Sequence, residues 1–164
     1  MSIKYVTGSS APHFSERKMD TMKAFLTNDL PAFEFDPEYL RHIRQHNGGQ
    51  PINRFFMTES GKQLPIDYFL NYSDTKLLTS QLLVMLNVSV VWSAIEDRLS
   101  IYLLPFAALP DGDFLCFDHE TQGRPSIVLW RHELSEEGVA YTEKVSPNFS
   151  LFVESLSDFE SDNW

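Results

Sequence analysis

The chain has 164 residues, enough for one domain that buries roughly 70% of the surface its unfolded form would expose. Hydrophobic residues make up 43% of it and phenylalanine occurs 13 times, which excludes disorder of the chain as a whole. Against 23 Asp and Glu stand only 13 Lys and Arg, a net charge of -10 that repels nucleic acid and anionic membrane and favours basic protein partners.

Cys116 is the single cysteine, so no internal disulfide can form, as expected in a reducing compartment. The first ten residues, MSIKYVTGSS, lack the apolar run of a secretion signal. The most apolar stretch, 82–95, is interrupted by Asn87, Ser89 and Ser93, and is shorter than the ~20 residues a membrane span needs. The expectation is a cytoplasmic protein, in which the glycosylation sequons at Asn71, Asn87 and Asn148 are chance matches.

In chain order, residues 1–14 read as a flexible arm, 15–157 as a single domain and 158–164 as an acidic tail that frays. Ser15 can cap a helix to about Thr27, with Met19, Met22, Phe25 and Leu26 on one face. Asp36-Pro37 opens a second helix, with the acid at the cap and proline in the first turn. Its apolar stripe is Tyr39, Leu40 and Ile43, and Asn47-Gly48-Gly49 stops it. Two strands are expected at 52–58 and 64–72 around a turn at Ser60-Gly61-Lys62. That turn is not a phosphate loop, because Phe56 stands where the first glycine belongs.

A turn at Ser73-Asp74 and a short helix from Lys76 come next, then a helix from Asn87 to about Leu99 with Val88, Val91, Trp92 and Ile95 inward. Residues 103–133 read as a loop followed by a hairpin. Its arms are 113–119 and 126–133 and its turn is 121–125. Both arms are apolar at nearly every position, the pattern of strands covered on both faces, so the hairpin should be central in its sheet. One more strand at 139–145 and a last helix started by Pro147, with Phe149, Phe152, Val153 and Leu156 inward, complete the set.

Candidate reaction centres fail on spacing or setting. His119 and His132 with Asp118, Glu120 and Glu133 are the best metal candidates. Pairing the arms with His119 near Ile127 and His132 near Phe114 puts the histidines on the order of 15 Å apart, too far for one ion. His132-Glu133 is not a zinc-protease motif, since Glu136 stands where the second histidine belongs. Cys116 lies mid-strand among apolar residues, where a thiol packs rather than reacts. No nucleophile elbow occurs, and the carboxylate pairs Asp111/Asp113 and Glu136/Glu137 sit in loops without the burial that acid catalysis needs. No cofactor or metal is therefore expected, and a metal-dependent enzyme using His119, His132 and the nearby carboxylates is the rival that bound zinc would revive. What remains is a surface: Asp111, Asp113, Asp118, Glu120 and Glu133 gather around the hairpin ends, where they could receive Lys and Arg of a basic partner.

Several blocks, in order, carry a resemblance. They are Phe35-Asp36-Pro37-Glu38-Tyr39 through Asn47-Gly48-Gly49, then Leu104-Pro105-Phe106-Ala107 with Gly112-Asp113 and Asp118. Next comes Pro125-Ser126-Ile127-Val128-Leu129-Trp130-Arg131-His132-Glu133, and last 148–156. Together they resemble the SUKH superfamily, bacterial immunity proteins related to the yeast cell-wall assembly regulator. The opening block departs from the family's usual leucine-proline. The resemblance implies an α+β fold of one domain, a twisted, mainly antiparallel sheet flanked by helices. It also implies a non-catalytic immunity protein that neutralises a cognate toxin domain, often a nuclease. A regulatory or scaffold module of the same fold is the alternative.

Overall fold

Five strands form the main sheet in sequence order, and every pairing in it is antiparallel. The structure is a computed structural model that describes residues 2–159. The main strands are β3 (Tyr68–Phe69), β4 (Leu103–Ala108), β5 (Phe114–Asp118), β6 (Ser126–Trp130) and β7 (Thr142–Ser146). A separate two-stranded sheet pairs β1 (Phe55–Met57) with β2 (Gln63–Pro65). The helices are α1 (Glu16–Leu26), α2 (Pro37–Gln45), α3 (Gln81–Met85), α4 (Val88–Ile95) and α5 (Phe149–Ser155). The fold is α+β, a single domain.

Side-chain caps explain where the helices begin. The first free N–H groups of a helix need acceptors, and Ser15, Asp36, Ser80, Asn87 and Asn148 each supply a side-chain oxygen. After α2 the chain must turn in the left-handed region at Gly48 (φ 71°). A Cβ there would lie 2.6 Å from the carbonyl oxygen of Phe69, so only glycine fits.

The hairpin of β5 and β6 lies inside the sheet, with helices on both sides. Alternation along the strands separates the faces. Phe117 points to one face, where Tyr39 of α2 and Phe149 of α5 meet it at ring distances of 4.8 and 6.0 Å. Phe106 of β4 stacks on Phe117 at 4.4 Å in the same cluster. Trp130 points to the opposite face, where its Nε1 donates to the carbonyl of Arg98 just beyond α4 at 3.0 Å. Cys116 on that face is fully buried, and burial pushes its thiol pKa up.

Several expected boundaries move. Residues 103–108, expected as loop, form β4. Pro105 cannot donate to a ladder and disguised the strand, yet it sits at a bulge between Pro105 and Ala107, beyond the short pairing with β3. The hairpin register is Phe117 opposite Ile127 and Phe114 opposite Trp130, two places from the expected pairing. Strand β6 ends at Trp130, three residues early, because Arg131 begins a turn. The long strands expected at 52–58 and 64–72 shrink to β1, β2 and β3 in two sheets. The helix from Lys76 is a 3-10 turn, Thr75–Leu77, followed by α3. Helix α4 gives way at Glu96 to a 3-10 turn, Glu96–Arg98. Strand β7 begins at Thr142 instead of Val139. Phe25, expected inward, is 49% exposed and meets the half-buried Trp92 edge-on at 4.8 Å.

The first residues are tied into the domain. Ile3 is buried, Val6 N donates to Gln50 O at 2.8 Å and Ile52 N to Lys4 O at 2.6 Å. Asn47 holds the same segment from below, its amide donating to Ala11 O at 3.2 Å while its Oδ1 accepts from Tyr72 N at 2.9 Å. Asn71 and Asn87 lie in the same buried polar network, Nδ2 of Asn87 donating to Oδ1 of Asn71 at 3.0 Å. At the other end Ser157 pairs with Phe55. Of the expected tail, residues 160–164 lie outside the described residues, as does Met1.

Candidate functional site

The central hairpin has two ends, and the five expected partner-binding acids divide between them. Asp111, Asp113 and Glu133 stand at the open end, beside the β4–β5 turn and the start of the β6–β7 connection. Asp118 and Glu120 stand at the β5–β6 turn. The two histidines also separate, His132 to the open end and His119 to the turn. Among the described residues no group of three or more His, Cys, Asp and Glu side chains is placed to hold a metal ion.

At the open end Asp113 faces inward. Its Oδ2 meets Arg131 Nε at 3.0 Å, and its Oδ1 accepts from His132 N at 2.9 Å and faces His132 Nδ1 at 2.6 Å. Arg131 also donates to Glu143 Oε1 of β7 at 3.1 Å. Asp113 is 3% exposed, so its carboxylate holds strands together and is not presented to solvent. Asp111 and Glu133 are exposed. Gly112 allows the turn to close against His132, since a Cβ there would come 3.3 Å from the imidazole and φ is 97°.

At the turn end a cleft of about 710 Å³ opens between the α1–α2 connector and the β5–β6 turn, with Phe33, Phe35, Tyr102 and His119 among its walls. Phe33 and His119 rings lie 4.6 Å apart. Burial lowers the His119 pKa to about 4, and the nearby Asp36 opposes that shift only in part, so the ring is neutral at pH 7. Asp36 serves two masters. It caps α2 through Glu38 N at 2.8 Å, and it receives Arg124 Nε and Nη2 at 3.1 and 3.2 Å from across the cleft. Glu120 is exposed on the rim, and Asp118, half-buried, accepts from Glu120 N at 3.0 Å.

The cations at both ends are thus engaged within the fold. Arg124 is held by Asp36, Arg131 by Asp113 and Glu143, and Lys23 by Glu34 at 2.8 Å. Arg98 donates to His132 O at 3.2 Å and lies 5.1 Å from the centre of the Trp130 ring. The expected set missed the role of Arg131, which no local pattern announces. It includes Glu133 of the β6–β7 connection but not Leu134, Val139 and Tyr141, whose side chains are exposed there.

A family model described as SUKH_6: SMI1-KNR4 cell-wall matches residues 32–153, from the α1–α2 connector into α5. The chain belongs to that family, and so to the SUKH superfamily. No curated protein and no solved structure matches the chain. Among the described residues no helix is long and apolar enough to cross a membrane.

Proposed function

We propose that this SUKH-family chain is a non-catalytic, cytoplasmic immunity protein of a bacterial cell, one that binds and neutralises a basic toxin domain of the nuclease kind. The observation that carries this is electrostatic. The chain has a net charge of -10, and exposed carboxylates at both hairpin ends stand beside arginines already paired within the fold. A surface of that kind attracts the Lys and Arg with which a nuclease holds phosphate, speeds encounter and occupies the substrate's place. The partner-binding residues on this reading are Asp111, Asp118, Glu120 and Glu133, while the buried Asp113 holds the strands behind Asp111 and Glu133.

The family description, SMI1-KNR4 cell-wall, favours a second reading, an intracellular regulatory or scaffold module that binds a host protein. Co-purification of the tagged full chain from its source cells, at low and high salt, tests the two. A stoichiometric basic partner that salt releases, and that kills cells when expressed alone, is the expected result. A harmless host partner would replace the first reading with the second.

A further inference from the structure

Residues 131–141, between β6 and β7, leave three large apolar side chains in solvent: Leu134 at 51%, Val139 at 60% and Tyr141 at 44% exposure. The backbone that carries them is fixed. Ser135, 6% exposed, donates its hydroxyl to Arg131 O at 2.8 Å and accepts Tyr141 N at 2.9 Å. Glu136 and Val139 exchange two backbone hydrogen bonds at 2.9 Å, and Gly138 N reaches Asp97 O beyond α4 at 2.8 Å. Apolar groups on a backbone already in place lose little freedom when they dock.

Their surroundings define what can cover them. Glu133, Glu136 and Glu137 are exposed on the same segment, and Glu96 and Asp97 on the turn it is bonded to. Arg98 and Arg131 are engaged as described, which leaves Lys144 as the exposed cation on the adjoining strand. Exposed apolar groups on a segment rich in exposed carboxylates have the composition of an interface core and rim. The cleft at the turn end has a weaker field, since Glu34 and Asp36 there are each paired with a cation.

We propose that this segment anchors the partner interface: Leu134, Val139 and Tyr141 enter an apolar recess on a protein whose rim carries Lys and Arg. This rests on the toxin-binding reading and adds to it the face and the chemistry of the partner. A surface whose rim carries Lys and Arg is also where a nuclease holds nucleic acid, so a chain anchored on it and the substrate exclude one another.

Two measurements test it. The isotope-labelled full chain is titrated with the peptide Lys-Trp-Lys-Leu-Lys at low and high salt. Amide shifts concentrated in residues 131–141 and at Glu96 and Asp97, lost at high salt, are expected. Shifts gathered in residues 119–125, or none, would overturn the proposal. With a co-purified basic partner, the combined Leu134→Ser, Val139→Ser and Tyr141→Ser variant is expected to lose at least about tenfold in affinity through faster dissociation, with its melting temperature kept. Full affinity in that variant would remove the anchor and leave toxin binding standing. Loop shifts in a chain that captures no basic partner would do the reverse.

Discussion

Arg131 reaches across the open end of the central hairpin to Asp113, closing a 3.0 Å ion pair around a carboxylate that is only 4% exposed. The pair and its extension to Glu143 join the entrance of β5, the end of β6 and strand β7. Truncating one member of a buried pair strands the other's charge, which is far more damaging than losing a surface contact. Asp113→Ala is expected to cost on the order of 3 kcal/mol, read from urea unfolding midpoints. Its effect on association with a partner, measured on the folded fraction, is expected to be small, because the carboxylate does not face outward.

Acid sensitivity follows from two histidines held neutral. Burial lowers the His42 pKa to about 4, with the neighbouring His46 adding to the shift, and His119 is lowered to about 4 as well. The unfolded chain takes up these protons near pH 6.5 and the folded chain does not until about pH 4. Stability is therefore complete above pH 6.5 and falls as pH drops from there toward 4, by at most about 1.4 kcal/mol per pH unit for each ring. Unfolding midpoints across that range check it. His119→Asn is expected to flatten the slope, and an unchanged slope would show that His119 already titrates freely in the native protein.

Tyr39 and Tyr72 place their hydroxyls in the core without a hydrogen-bond partner among the described residues, and burial raises both pKa values. A buried donor without an acceptor costs roughly 1–3 kcal/mol. Tyr72→Phe keeps the ring packed on Phe35, edge-on at 6.2 Å, and removes the stranded hydroxyl. The variant is expected to be as stable as the parent or up to about 1 kcal/mol more so. A loss larger than that would mean the hydroxyl is satisfied in solution.

Charge reversal separates the two ends of the hairpin. Asp111→Lys and Asp118→Lys are both expected to slow association with a basic partner, by roughly two- to tenfold at low salt, and to flatten its salt dependence. Stopped-flow association rates measure this. Unchanged rates for both variants would take the hairpin ends out of the encounter surface.

Local chemistry made much of the fold legible. The caps at Ser15, Asp36 and Asn87, and the inward set Phe149, Phe152, Val153 and Leu156, depend on neighbours a few residues away, whereas the last helix starts at Phe149 under an Asn148 cap and not at Pro147. The unbroken apolar arms of β5 and β6 announced their central position for the same reason. Contacts set by register were hidden. Asp113 in a Pro-Asp-Gly-Asp turn reads as solvated, and only the strand pairing brings Arg131 and His132 to it. Val139, Ala140 and Tyr141 read as the start of a strand, since exposure of an apolar run cannot be told from burial without its partners. The first residues read as loose because their hydrogen bonds go to Gln50, Asn47 and Tyr72, far along the chain.

Ser135 secures the β6–β7 connection with one buried hydroxyl and backbone bonds, and the outward side chains take no part in that support. Exchanges at the exposed Glu136 and Glu137 are therefore each expected to be nearly neutral for folding, within about 0.5 kcal/mol. On the proposed interface, recognition and stability would reside in different atoms of the same eleven-residue span. A chain that binds through this span would gain new specificities by redecorating a surface whose scaffold need not change.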